Sequence, residues 1–81
     1  MMAINKAGDE YALYNTSNNQ WSAANTLPNL EKNGNQIPFS NVGSVCYIKI
    51  GQQDYTLFFN LQGTQYCLWE NVNGFSPDYD L

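Results

Sequence analysis

The residues with the clearest chemical potential are aromatic and amide, and they recur. Tyr14, Trp21, Trp69 and Phe75 each sit beside turn residues rich in Asn and Gln. An indole or phenol ring stacks on the apolar C–H face of a hexose, while nearby amides and carboxylates bind hydroxyls. Trp21, Trp69 and Tyr14 therefore form a candidate ligand platform, with Asn18, Asn73, Gln65 and Glu70 as the polar partners. The competing reading is structural. Large aromatics carry core burial, and Asn tolerates the left-handed conformations that turns need.

Other chemistries find little in the chain. There is no His among its 81 residues, so no Ser-His or Cys-His nucleophile pair can form within one chain. Two cysteines without His leave no basis for a zinc site. Asp54, Glu70, Asp78 and Asp80 are carboxylates that could in principle make an acid–base pair, but most fall in turns or near the tail. No Gly-rich phosphate motif occurs. The expectation is a protein that is not an enzyme, with no metal and no cofactor.

Charge narrows the partners. The net charge is −4, there is no Arg, and the only basic side chains are Lys6, Lys32 and Lys49. Neutralising nucleic-acid phosphates takes several such cations, and anionic membranes disfavour the same surface. No apolar run approaches the ~20 residues of a spanning helix. The expectation is no nucleic acid and no membrane insertion, with the compartment open. Charged residues are only 12% of the chain, whereas Asn contributes 12 residues and Gln 6. Such a surface offers hydrogen bonds to neutral polar groups rather than ion pairs.

The elements that must position these residues repeat. Residues 2–18 (MAINKAGDEYALYNTSN) lie over 57–73 (LFFNLQGTQYCLWENVN) at a constant shift of 55 residues. Asn5 meets Asn60, Gly8 meets Gly63, Tyr11 meets Tyr66 and Leu13 meets Leu68. After one gap, Trp21 meets Phe75, Ser22 meets Ser76 and Leu27 meets Leu81. A period of this length marks stacked supersecondary units that cannot bury their own faces alone.

Helical periodicity is weak throughout, and strand signals are strong. Gly43–Ile50, Tyr55–Asn60, Gln65–Glu70 and the irregular Phe75–Leu81 read as an antiparallel four-strand meander. Its reversals are Gly51–Asp54, Asn60–Gly63 and Asn71–Gly74. Met2–Asn5, Glu10–Asn15 and Trp21–Leu27 read as the last three strands of the same unit. The chain is thus expected to be a single domain, 1–81, with a partial unit over 2–27, a full unit over 43–81 and a loop over 28–42. Both faces of the central strands are apolar, which predicts cover on both sides. Cys46 and Cys67 lie two strands apart, near 10 Å. That is beyond the reach of a disulfide, and both are expected to be free and buried.

The run YTLFFNLQGTQYCLWENVNGFSPDYDL, with its echoes Asn19-Gln20-Trp21-Ser22 and Gly74-Phe75-Ser76, resembles one blade of a β-propeller lectin. The resemblance covers 2–27 and 43–81. It implies an all-β fold of four-stranded antiparallel blades, about two incomplete blades per chain, completed by oligomerisation. It also implies carbohydrate binding between blades, with a glycan as ligand and a homo-oligomer as the working form. The alternative from another class is a structural scaffold, or an engineered repeat fragment that self-assembles without a ligand. Residues 36–50 (QIPFSNVGSVCYIKI) are also similar to the end of a βγ-crystallin Greek-key motif. Phe39 and Ser40 stand where that family places calcium-binding residues, which implies a degenerate calcium site.

Overall fold

A computed structural model describes residues 1–81 as nine β-strands and a single 3₁₀ turn. The strands are β1 (Met2–Ile4), β2 (Glu10–Asn15), β3 (Gln20–Trp21), β4 (Asn25–Thr26), β5 (Val42–Ile50), β6 (Gln53–Asn60), β7 (Gln65–Glu70), β8 (Gly74–Phe75) and β9 (Tyr79–Asp80). They form two antiparallel sheets. The N-terminal sheet runs β1-β2-β3, with β4 also on β2. The C-terminal sheet runs β5-β6-β7-β8, with β9 also on β7. No helix is long and apolar enough to cross a membrane.

The two sheets share one register code. Met2 pairs with Leu13 as Leu57 pairs with Leu68, and Ala3 with Ala12 as Phe58 with Cys67. Tyr14 pairs with Trp21 as Trp69 pairs with Phe75. Glu10 pairs with Thr26 as Gln65 pairs with Asp80. Local side chains enforce this code. The Asn5 side-chain oxygen accepts from the Asp9 and Glu10 N–H groups, both at 3.0 Å. Asn60 does the same for Thr64 at 2.8 Å and Gln65 at 3.1 Å. Each clamp closes a turn whose glycine, Gly8 or Gly63, has a positive φ.

The expected fourth strand is broken in two in both sheets, so nine strands stand where seven were read. A serine causes the break. Ser22 Oγ accepts the Leu13 N–H at 2.9 Å and donates to the Ala23 carbonyl at 3.0 Å. Ser76 repeats this on Leu68 and Pro77, both at 2.9 Å. The hydroxyl satisfies a backbone donor that the departing strand would leave orphaned.

The sheets stack face to face on one core. From the C-terminal sheet come Val45, Phe58, Cys67, Trp69 and Phe75; from the N-terminal sheet come Met2, Ile4 and Tyr11. Phe58 and Phe75 meet edge-on with centroids 5.2 Å apart, the geometry that aromatic quadrupoles favour. The expected loop 28–42 fills the side of this core. Its 3₁₀ turn (Leu27–Leu30) buries both Leu27 and Leu30, because residues three apart eclipse in that helix. Pro28 presets φ in its first turn. Lys32 and Asn35 bridge, and Val42 already opens β5.

One expectation needs correction, that both cysteines are buried. The chain by itself covers each sheet on one face, with no third layer. The outer faces, Ala3, Ala12, Tyr14 and Trp21 on one side and Leu57, Phe59, Tyr66 and Leu68 on the other, follow from the strand alternation. Both cysteines are free, with β6 between their strands. Cys67 is buried, but Cys46 is exposed: it lies on β5 one position out of phase with Val45, which faces the core.

Candidate ligand site

The two grooves of largest volume fall at the ends of the two sheets. One, of about 510 Å³, lies on the β2–β3 hairpin and takes in Leu13, Tyr14, Asn15, Thr16, Asn18, Gln20, Trp21 and Ser22. The hairpin builds it locally. Asn15 Oδ1 accepts the Ser17 N–H at 2.9 Å, and Asn18 Oδ1 accepts the Gln20 N–H at 3.1 Å. These Asx turns fix the reversal. Asn19 sits at φ 56°, and its side-chain oxygen accepts the Tyr14 hydroxyl at 3.1 Å.

That bond orients the Tyr14 ring against Trp21, with centroids 5.0 Å apart and planes at 60°. Trp21 remains 51% exposed. An open indole braced by a second ring is a stacking surface, and the surrounding amides supply donors and acceptors.

The other groove, of about 650 Å³, lies where the β5–β6 hairpin passes β7. It is walled by Tyr47, Ile48, Lys49, Gln53, Asp54, Tyr55, Thr56, Trp69, Glu70 and Asn71. Tyr47 is half exposed, and its partial burial raises the hydroxyl above its ordinary value; like any tyrosine it is protonated at neutral pH and can donate a hydrogen bond. Lys49 and Asp54 approach to 3.8 Å, both well exposed, and such a pair contributes little stability.

Of the seven residues read as a candidate site, Tyr14, Asn18 and Trp21 come together in the first groove. Trp69 and Glu70 fall in the second. Gln65 and Asn73 line neither. Gln65 is at the far end of β7, about 17 Å along the strand from Glu70, where its amide donates to Asp80 Oδ1 at 3.2 Å.

Asn73 is a strut. Its carbonyl accepts the Asn35 amide at 2.7 Å, its side-chain oxygen faces the Asn33 amide at 3.4 Å, and its N–H donates to the Glu70 carboxylate. Glu70 thus closes the β7–β8 turn as well as lining the groove. Trp69 is anchored too, since its indole N–H donates to the Leu30 carbonyl at 2.6 Å. Its partner ring, Phe75, is only 4% exposed.

The repeat-equivalent aromatic pairs thus have different surroundings. Segment 30–35 closes over Trp69 and Phe75, and nothing equivalent covers Tyr14 and Trp21.

Reading the sequence missed Asn15, Thr16 and Gln20 in the first groove and Tyr47, Asp54, Tyr55 and Thr56 in the second. A signal for the second set existed. Tyr47 and Lys49 alternate on β5, and the reversal at Gly51 sets them opposite Thr56 and Asp54, one strand from Trp69. No group of three or more His, Cys, Asp or Glu side chains gathers in either place.

No protein-family model, curated protein or solved structure matches this chain.

Proposed function

We propose that the protein is a non-enzymatic carbohydrate-binding module, built of propeller-type blades that copies of the chain complete. The sugar site is the groove on the β2–β3 hairpin. One observation carries this reading. The braced Tyr14–Trp21 pair, with Trp21 half exposed, stands open among the side chains of Asn15, Asn18 and Gln20, while its counterpart in the C-terminal sheet is closed by the chain itself.

Trp21 stacks on the C–H face of a sugar ring, and the Asn18 Nδ2 group and the Gln20 amide bind its hydroxyls. Asn18 Oδ1 is already engaged by the hairpin, so its amide nitrogen is the free donor. A single site of this kind is weak, and repetition across an assembly raises avidity without new contacts.

A glycan array followed by calorimetry tests this. Binding to a defined glycan is expected, weakened at least about tenfold, ~1.4 kcal/mol, in Trp21→Ala, with the melting temperature of that variant nearly unchanged. Failure of the wild-type protein to retain any glycan, or equal affinity in the variant, would sink the reading. The second reading, a self-assembling structural repeat without a ligand, is favoured by the apolar outer face of the C-terminal sheet.

A further inference from the structure

The shared register gives the interface residues of β1, β2, β6 and β7 counterparts on an outer face. The inner face of the N-terminal sheet presents Met2, Ile4 and Tyr11 to the core, with Leu13 43% exposed at its edge; the outer face of the C-terminal sheet presents Leu57, Phe59, Tyr66 and Leu68 at the equivalent positions. The inner face of the C-terminal sheet presents Phe58 and Cys67, and the outer face of the N-terminal sheet presents Ala3 and Ala12. Each outer face is therefore a version of one half of an interface that already exists inside the molecule.

The two versions differ from the internal one in compensating ways. Ala3 stands where the internal interface has Phe58, and Phe59 stands where it has Ile4. One outer face is hollowed and the other is bulkier. The structure has an open depression there of about 220 Å³, with Ala3, Ala12 and Ala24 in its wall and Asn5 and Glu10 also lining it.

We propose that a second copy of this chain is the partner of both faces. The Leu57–Phe59–Tyr66–Leu68 face of one copy docks on the Ala3–Ala12 face of the next, with the Phe59 ring in the hollow. The contact is head-to-tail, so it propagates around a ring or along a filament. Pairing like faces would set two hollowed surfaces, or two bulky ones, against each other, and neither fills space at the density of a protein interior. Tyr14 and Trp21 continue the Ala3–Ala12 face, at the positions that Trp69 and Phe75 hold in the internal interface. The inference deepens the assembly part of the proposed function, and its test reads mass, which glycan binding does not decide.

Light scattering on the 81-residue chain is expected to give a multiple of 9.2 kDa. Phe59→Lys and Ala3→Lys each spoil one of the two faces, and each alone is expected to be a monomer with an unchanged circular dichroism spectrum. Mixed one to one, they are expected to form a dimer, because the first retains an intact hollowed face and the second an intact bulky face. Ala3 is exposed on a sheet surface, so its replacement leaves the fold intact; Leu57→Lys, at the position equivalent to core-packed Met2, serves as a second bulky-face variant if Phe59→Lys does not fold. A wild-type chain that stays at 9.2 kDa overturns the proposal. So do lysine variants that assemble as the wild type does, or a mixture that stays monomeric.

Discussion

The Tyr14–Trp21 end of the N-terminal sheet and the Trp69–Phe75 end of the C-terminal sheet are the same local structure in two settings. The register is the same, and a serine breaks the following strand in the same way. At one end Trp21 is half exposed; at the other Phe75 is 4% exposed and Trp69 is hydrogen-bonded to the Leu30 carbonyl. The local code builds the aromatic pair. What lies next in space decides whether that pair is a surface or a piece of core.

The glycine turns make the sharpest test of this contrast. Gly8 and Gly63 have nearly equal conformations, at φ 77° and 72°. A Cβ on Gly8 would meet the Val42 carbonyl oxygen at 2.3 Å and its nitrogen at 2.7 Å, whereas a Cβ on Gly63 meets nothing within 4 Å. Gly63→Ala should therefore cost only the left-handed strain, ~1–2 kcal/mol. Gly8→Ala adds a backbone collision that displaces Val42 and should exceed about 4 kcal/mol, in the range kept for severe lesions. Urea unfolding of both variants measures the gap, and equal losses would show that neighbours do not matter at these turns.

A smaller effect is expected at Asn19 and Gly74, the left-handed residues of the two aromatic hairpins, at φ 56° and 74°. The Lys32 backbone lies 2.8 to 2.9 Å from a Cβ on Gly74, because segment 30–35 packs there. Gly74→Asn should cost ~2–3 kcal/mol, combining strain with loss of that packing. Asn19→Gly at the open hairpin should change stability by a few tenths of a kcal/mol. Thermal melts of the pair rank them, and a reversed order would contradict the assigned packing.

The smallest effect at neutral pH belongs to Cys67. Its thiol is pushed up to about 12 from 9.0, first by burial and then by the nearby Asp78 charge. The folded state holds the neutral thiol, so this contribution is fully present below about pH 9 and is lost as pH rises towards 12. Cys67→Ala should flatten that alkaline decline relative to wild type in denaturation at pH 8 and pH 10.5. Cys46, exposed on β5, should react with a thiol reagent in the native state while Cys67 reacts only on unfolding. A parallel pH dependence in wild type and Cys67→Ala would remove the buried thiol as its cause.

Much of the strand layout was legible because period-two apolar runs bounded by turn residues are local signals. The broken fourth strand was not, since Ser22 and Ser76 read as ordinary polar residues until their hydroxyls meet the Leu13 and Leu68 N–H groups. The 3₁₀ turn was hidden among Pro and Asn residues that read as loop. Of the site, Tyr14, Asn18 and Trp21 are close in sequence and meet in one hairpin. Gln65 and Asn73 were matched by residue type, but strand length carries Gln65 away and segment 33–35 occupies Asn73. The Tyr47–Asp54 groove depended on β-pairing across a hairpin, which composition does not report.

The sequence by itself determined the repeat, the all-β character and the turn clamps, because each follows from side chains acting on backbone a few residues away. Tertiary structure alone decided which copy of each feature is buried. Segment 30–35 returns to the C-terminal sheet over long range, and the two sheets share one core while their other faces stay open. Burial belongs to pairs of surfaces that meet in space, and a local motif shared by two sheets does not by itself say which copy will be covered.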